Sequence, residues 1–178
     1  MFGKLLSMLG FGDDPETAEA KRRMTQDAAD PRRRMVFGLL AMSYELDPAY
    51  LQGHATTAIR EWYDLSSADQ LRKEVHAYLR SNDGYDVFRA VFLARAGQGA
   101  GMLTEDESWN LAFEAVRRAQ AGYTDWPHYG AGYLAGHMKY RKSQGDDEAT
   151  LARYHGNITQ RMQKNQTGAW TVPFRTPV

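Results

Sequence analysis

Four side chains that combine a ring with a polar tip recur at helical spacing after Asp125. Tyr129, Tyr133 and His137 are four residues apart, and Tyr140 follows three residues later. Residues three or four apart lie on the same face of an α-helix, so this spacing predicts one aromatic stripe. Such a stripe suits a surface that binds another protein, and it also suits packing at the edge of the core, which is the commoner use. The four residues are therefore our candidate binding surface, with core packing as the alternative.

A second set of polar side chains offers the groups that acid–base chemistry needs. Asp86 and Arg89 are three residues apart in an otherwise apolar helical segment, a spacing that permits an ion pair. A structural salt bridge is the simpler account of this pair. If the segment lines a cleft, the pair joins three more distant residues in a candidate catalytic set for a hydrolase or a nucleotide-acting enzyme. Those three residues are Glu107, His128 and His137.

The chain lacks the short motifs that mark common catalytic and cofactor sites. No Gly-x-Ser-x-Gly elbow is present, so nucleophilic catalysis by serine has no support. The glycines between Gly97 and Gly101 follow a helical segment and not a strand, so they predict a flexible turn between helices and not a phosphate-binding loop. No two histidines are three or four residues apart and cysteine is absent, so we expect neither a metal nor a cofactor. The histidines are His54, His76, His128, His137 and His155.

The charge balance excludes some classes of partner. Lys and Arg together number 22 and Asp and Glu also number 22, so no overall charge draws the protein to nucleic acid or to an anionic membrane. Basic groups occur at 21–23, 32–34 and 139–142 without a nucleic-acid-binding module, and we interpret them as solvated helix faces. No apolar run approaches the ~18 residues that span a bilayer. The absence of cysteine favours a reducing compartment, so we expect a cytoplasmic protein.

The first residues combine apolar side chains with glycine behind a single lysine. Gly10 and Gly12 interrupt the short apolar stretch, and Asp13-Asp14-Pro15 follows where a signal peptide carries its small-residue cleavage site. We therefore expect 1–12 to be an amphipathic lead-in that docks on the core or on a partner. The predicted organisation is a lead-in and linker over 1–30, followed by a single helical domain over 31–178.

Proline and glycine divide the rest of the chain into pieces of helical length. Asp30-Pro31 and Asp47-Pro48 each place an N-cap acceptor before a proline at the first helical position. They predict helices that run to about Leu46 and to about Trp62. Further helix starts are predicted at Ser66 to Asp69, at Thr104 to Glu107, at Thr124 and at Asp147.

The segment Tyr85 to Ala96 is apolar over most of its circumference, which predicts that it is the central helix. Trp170, Val172 and Phe174 give the last segment apolar side chains, so we expect that segment to lie across the helices. Strand-like alternation is scarce. The predicted fold is all-α, a single compact bundle of six to eight helices with an extended C-terminal tail.

Several stretches of the chain form a recognisable set. They are Gly84 to Arg89, Ala94 to Gly97, Gly101 to Trp109, Tyr123 to Gly130 with Tyr133 and Gly136, and Trp170 followed by Pro173. Over roughly Trp62 to Phe174 the chain resembles the bacterial family called domain of unknown function 1266. Met102 and His137 depart from the family pattern, which often has an aromatic residue and an arginine at these positions. The resemblance implies a helical fold in a bacterial, cytoplasmic setting, and it implies no activity.

Two functional hypotheses follow. The first is a protein–protein interaction module, an accessory or immunity-type protein that binds another bacterial protein through the aromatic stripe or the lead-in. The alternative is the hydrolase or nucleotide-acting enzyme with a polar site between helices. The missing catalytic motifs weigh against an enzyme, and the sequence leaves a homo-oligomer open.

Overall fold

The computed structural model describes residues 14–178, and this part of the chain is built from helices with no strand. Its α-helices are α1 Pro15–Asp27, α2 Pro31–Leu40, α3 Gln52–Thr57, α4 Ala68–Leu79, α5 Gly84–Gly99, α6 Glu105–Gly122, α7 Trp126–Ser143 and α8 Glu148–Gln166. A π-helical turn, Ala58–Trp62, extends α3, and short 3₁₀ turns lie at Pro48–Tyr50 and Ala169–Thr171. The predicted all-α bundle is confirmed.

Most of these helices begin at a side chain that accepts a hydrogen bond from the first turn, an arrangement worth about 1 kcal/mol at each helix. The predicted caps Asp30, Thr104 and Asp147 are confirmed. The start predicted at Thr124 is one residue too early, because the carboxylate of Asp125 accepts from the backbone N–H of His128 at 2.8 Å.

The start predicted at Ser66 to Asp69 is also shifted by one residue. The capping box pairs Ser67 with Gln70, a residue whose longer side chain reaches back to the backbone N–H of the cap. α4 therefore begins at Ala68, one residue later than a box from Ser66 to Asp69 implies.

The two helices predicted on either side of Asp47 are shorter than expected. α2 ends at Leu40 and not at Leu46, and the chain after Asp47 makes a 3₁₀ turn before α3 begins. The turn after Asp47 has a physical reason: its carboxylate is buried, where it binds Arg95 and caps the short turn by accepting from Ala49 N at 2.9 Å.

The turn predicted from Gly97 to Gly101 begins later than expected, because α5 continues to Gly99. A Cβ atom at Gly97 would press on the side chain of Leu71, and one at Gly99 would press on the carbonyl of Pro48. Gly97 and Gly99 are therefore helical residues that let neighbouring segments pack closely against α5. Of the three glycines, only Gly101, with φ of 73°, has the left-handed backbone that favours glycine in a turn.

α5 is the central helix, as predicted, and it contacts α2, α3, α4, α6 and α7. α5 and α7 cross closely because each helix has a glycine at the contact, Gly84 on α5 and Gly136 on α7. A Cβ atom at Gly84 would meet the backbone of Tyr133, and one at Gly136 would clash with the carboxylate of Asp83. Gly136 therefore permits α7 to approach the start of α5 closely.

The C-terminal segment lies across the helices, as the sequence indicated. The ring of Trp170 stacks on that of Trp126 with centroids 5.7 Å apart. Its indole N–H donates to the carbonyl of Gly38 at 3.0 Å, and the indole N–H of Trp126 donates to the carbonyl of Val172 at 2.7 Å. Val172 and Phe174 are buried with them.

The predicted lead-in, 1–12, lies outside the described residues. Where the sequence predicted a linker, 15–27 forms α1. This helix packs Ala20 against Ala49 and Tyr50, and the guanidinium of Arg23 lies 4.4 Å from the centre of the Tyr50 ring. The division into a lead-in with linker and a helical domain near residue 30 stays a prediction.

Candidate functional site

The two inner tyrosines of the stripe on α7 lie in the core. Tyr129 and Tyr133 have no exposed surface. The Tyr133 hydroxyl is hydrogen bonded to Ser43, and the Tyr129 hydroxyl makes a long contact of 3.5 Å to the carbonyl of Leu39. Their side chains therefore offer no surface to a partner, and the packing interpretation holds for these two positions.

His137 lies at the edge of the same core. Its ring contacts Tyr85, Tyr133 and Tyr154 at centroid distances of 4.9, 5.8 and 5.4 Å. Burial, together with the positive charges of Arg141 and Arg89, lowers the pKa of His137 to about 4. The imidazole is consequently neutral near pH 7, and its buried Nδ1 has no hydrogen-bond partner among the described residues.

Tyr140, the last residue of the stripe, lines a concave site that we call the aromatic cleft. Its volume is about 390 Å³, within the range of small-ligand sites. Four segments of the fold contribute to it: the end of the π-helical turn, α4, α5 and α7. Every side chain lining the aromatic cleft is tryptophan, tyrosine or arginine. They are Trp62, Tyr63, Tyr78, Tyr85, Arg89, Tyr140 and Arg141.

The wall of the aromatic cleft that carries Trp62 is locally unusual. The π-helical turn ends at Trp62, and π-helical turns inside α-helices occur frequently at functional sites. Asp64, two residues further on, has φ of 52°, the one positive value at a non-glycine residue in the described part of the chain. Such backbone conformations persist where the surroundings hold them and cluster at ligand sites. Trp62 is 54% exposed, although one side of its ring contacts His54 and Phe92.

Arg89 lines the aromatic cleft and lies among three of its tyrosine rings. Its guanidinium carbon lies 4.1 Å from the ring centre of Tyr140, 4.4 Å from that of Tyr85 and 5.2 Å from that of Tyr78. The polar contacts are long: Nη1 lies 3.4 Å from the hydroxyl of Tyr78 and 3.7 Å from a carboxylate oxygen of Asp86. Nε is buried without a partner. The predicted pairing of Asp86 with Arg89 therefore exists but is loose.

Arg95, on the same helix, has surroundings of the opposite kind. It is fully buried and donates to Asp47 and Gln98 at 2.8 Å and to Ser108 at 3.0 Å. Its guanidinium carbon also lies 3.5 Å from the ring centre of Trp109. Arg95 is thus a structural cation whose partners all belong to this chain.

The hydroxyl groups around Arg89 are neutral donors near pH 7. Burial raises the pKa of Tyr63, Tyr78 and Tyr85 above the ordinary value. Burial also disfavours the charge on Arg89, but the neighbouring oxygens of Tyr85 and Tyr78 outweigh it, and the pKa of Arg89 is raised. The aromatic cleft therefore presents a cation and several O–H groups, and neither is a good proton acceptor.

A smaller cavity of about 190 Å³ shares Tyr85, Arg89 and Tyr140 with the aromatic cleft. Asp83, Asp86 and Lys139 also line it, so the carboxylates near Arg89 belong to this second cavity. The aromatic cleft has no carboxylate among its lining residues. Its second cation, Arg141, donates from Nε to Asp146 at 2.6 Å.

The candidate catalytic residues are only partly brought together. Asp86 and Arg89 are neighbours, and His137 reaches them through the ring of Tyr85. Glu107 lies elsewhere and accepts from Arg72 at 2.5 Å, which lowers the pKa of its carboxyl. His128 lies near the start of α7, where its ring contacts Tyr123 and its Nδ1 is 3.2 Å from the backbone nitrogen of Thr124.

A larger, more open depression of about 710 Å³ lies between α1 and the segment that follows α2. Its charged lining residues are one lysine, Lys21, and one glutamate, Glu45, so it offers no net charge to a ligand. Among residues 14–178 no three His, Asp or Glu side chains are grouped as metal ligands. Within the same residues no helix has the length and apolar character needed to cross a bilayer.

Sequence reasoning found Tyr140 and Arg89 but missed most of the aromatic cleft. The cleft also includes Trp62, Tyr63 and Tyr78, which belong to segments that precede α5. These side chains meet at the cleft only because of how α3 and α4 pack on the rest of the fold. The available signal was composition, because tyrosine and tryptophan with polar neighbours often mark contact surfaces.

Comparison with known proteins identifies the family of the chain but no activity. No solved structure matches it. Over 67 residues it is 36% identical to the uncharacterized protein YbeU of Escherichia coli (strain K12), a match that covers 38% of this chain and 28% of the relative. The chain thus spans well under two thirds of that relative. The family model described as "Protein of unknown function (DUF1266)" matches residues 4–174, which extends well before the segment from about Trp62 that carried the resemblance. The chain therefore belongs to the DUF1266 family.

Proposed function

We propose that this protein is a protein–protein interaction module, an accessory or immunity-type protein of the bacterial cytoplasm, and that it holds a segment of another bacterial protein in the aromatic cleft. The observation that carries the proposal is the composition of the cleft. All seven lining residues are tryptophan, tyrosine or arginine, the residue types enriched at the energetic centres of protein interfaces.

The exposure of Trp62 supports the same function. It is the large apolar side chain that stays substantially exposed in the described part of the chain, and it lies at the cleft. A large ring of this kind loses little conformational entropy when a partner covers it, so it contributes strongly to binding. The chemistry of the cleft also favours binding over turnover, since protonated phenols and guanidinium groups are poor general bases.

The test compares variants in partner capture. The tagged protein is used to capture partners from its host, each captured protein is identified, and the complex is rebuilt from purified components. We expect Trp62→Ala to weaken the rebuilt complex by at least about 2 kcal/mol, or roughly thirtyfold. Lys164→Ala is the control, because this exposed side chain pairs with Glu45 away from the cleft.

Two results would argue against the proposal. One is a complex that forms equally well with the wild type, with Trp62→Ala and with Tyr140→Ala. The other is a failure to rebuild any complex from the purified components. A Lys164→Ala variant that binds as poorly as Trp62→Ala would also contradict it, because the cleft would then have no special role.

A further inference from the structure

We propose that the aromatic cleft recognises a carboxylate on an acidic protein segment, and that Arg89 is the residue that binds this carboxylate. The inference rests on the proposed function, since it specifies what the partner must present. It concerns the chemistry of one contact, so its failure can be distinguished from failure of the interaction itself.

The aromatic cleft carries positive charge. Two of its lining residues, Arg89 and Arg141, are cations, and none is a carboxylate. Asp86 lies 3.7 Å from Arg89, and it lines the smaller cavity and not the aromatic cleft. An incoming carboxylate therefore meets positive charge with no acidic side chain lining the same wall.

Arg89 is a largely buried guanidinium with one nitrogen that has no hydrogen-bond partner in the described part of the chain. Its side chain is 14% exposed, its polar contacts to Tyr78 and Asp86 are 3.4 and 3.7 Å long, and the Tyr85 hydroxyl also interacts with it. Nε is nevertheless buried with no partner among the described residues. Buried polar groups are nearly always hydrogen bonded, so an unsatisfied one requires an explanation. Arg95 shows that this helix can satisfy a buried arginine completely with its own chain.

The guanidinium of Arg89 selects the shape of the recognised group. A guanidinium binds a carboxylate through two parallel N–H···O bonds, a geometry that a lysine cannot reproduce. The hydroxyl of Tyr78 accepts from Nη1 and is hydrogen bonded to Glu74, so the guanidinium itself supplies the donors for the anion. The rings of Trp62, Tyr85 and Tyr140 leave apolar walls on which the neighbouring residue of the partner segment can pack.

The experiment observes Arg89 directly in the folded, nitrogen-15-labelled protein. Because Nε of Arg89 is buried, we expect its proton to exchange slowly enough to give a resonance in side-chain spectra. The probes are 4-hydroxyphenylacetate, which joins a phenol to a carboxylate, and tyramine, which joins the same phenol to an ammonium group. Phenyl phosphate is a third probe, for an anion of different shape.

We expect a saturable shift of the Arg89 resonance with 4-hydroxyphenylacetate, an affinity at least about tenfold weaker with tyramine, and no shift of the Arg95 resonance. Arg89→Lys, which keeps the charge but loses the fork, should lower the affinity for 4-hydroxyphenylacetate about tenfold. The wild-type measurement does not depend on that variant folding.

Three results would overturn the inference: equal responses to 4-hydroxyphenylacetate and tyramine, saturation by phenyl phosphate alone, or no saturable response to any probe. A partner complex that is lost in Trp62→Ala but unchanged in Arg89→Gln would also overturn it while leaving the proposed function in place. Saturation by 4-hydroxyphenylacetate without any rebuilt protein complex would leave a carboxylate site and remove the proposed function.

Discussion

Arg89 and Arg95 lie on the same central helix, α5, yet among the described residues only Arg95 has a close anionic partner. The carboxylate of Asp47 lies 2.8 Å from Nε of Arg95, whereas that of Asp86 lies 3.7 Å from Nη1 of Arg89. Arg95 is closed off from solvent, and Arg89 lines the aromatic cleft. One helix thus carries a cation that stabilises the fold and a cation that remains available to a ligand.

This difference predicts unequal costs of removing the two charges. Arg95→Met leaves the buried carboxylate of Asp47 without a counter-charge, so we expect it to lower the free energy of unfolding by about 3–5 kcal/mol. Arg89→Met loses contacts with tyrosine rings, and we expect a loss of about 1 kcal/mol. Urea unfolding measures both. Equal losses would contradict the assignment of roles, and adding Asp47→Leu to Arg95→Met should restore part of the stability.

The surroundings of His137 predict a pH-dependent stability. Its pKa is about 4 in the folded chain against 6.5 for an unperturbed histidine, so the unfolded chain takes up the proton first as the pH falls. The stabilisation is complete above about pH 6.5 and is lost as the pH falls towards about 4. Because the ring is only partly buried, we expect about 1 kcal/mol and not the full value of the shift.

The measurement is urea unfolding of the wild type and of His137→Phe at about pH 7 and about pH 5, where the variant should lose less stability than the wild type. His155→Gln, a substitution of an exposed histidine on α8, should follow the wild type. A His137→Phe variant with the pH dependence of the wild type would show that His137 binds its proton equally well in the folded and the unfolded chain.

Two glycines in long helices should respond oppositely to the same substitution. In Gly136→Ala the new methyl group clashes with the carboxylate of Asp83, which also caps α5, and we expect a loss of about 2–3 kcal/mol. At Gly156, an exposed position of α8, an added Cβ meets nothing within 4 Å. Gly156→Ala should therefore raise stability by about 0.5–1 kcal/mol through helix propensity. Thermal unfolding compares them, and a neutral Gly136→Ala would show that α5 and α7 can separate cheaply.

The C-terminal segment should contribute to stability far beyond its length. Trp170 is buried, stacks on Trp126 and donates to the carbonyl of Gly38. We expect Trp170→Ala to cost about 3–5 kcal/mol, the range for truncating a large core aromatic residue. The neighbouring exposed Thr171 serves as the control, since Thr171→Ala should change the unfolding free energy by less than about 0.5 kcal/mol. Similar effects of the two substitutions would contradict the packing of this segment.

Helix positions were largely predictable because they depend on neighbours in sequence. A proline after an aspartate sets a helix start at Asp30, and an apolar circumference marks α5 as central. The errors arose where a distant partner intervenes. The helix predicted to start at Asp47 begins instead with a short 3₁₀ turn, and the carboxylate of Asp47 binds the distant Arg95.

The candidate site was predictable only in part. Helical spacing placed Tyr133 and Tyr140 near one another, but it does not determine which side of α7 faces the core, because aromatic residues and glycines occur around much of this helix. The cleft also needs Trp62 and Tyr78, which reach it through the packing of other helices. Such convergence depends on long-range contacts that local spacing does not encode.

The stacking of Trp170 on Trp126 also constrains how the chain can fold during synthesis. Gly38 and Trp126 meet their partner only when the ribosome has passed position 170, so the carbonyl of Gly38 and the indole face of Trp126 stay open until Trp170 has been made. The nascent chain must therefore remain unaggregated with a gap in its apolar interior until this segment emerges and closes it.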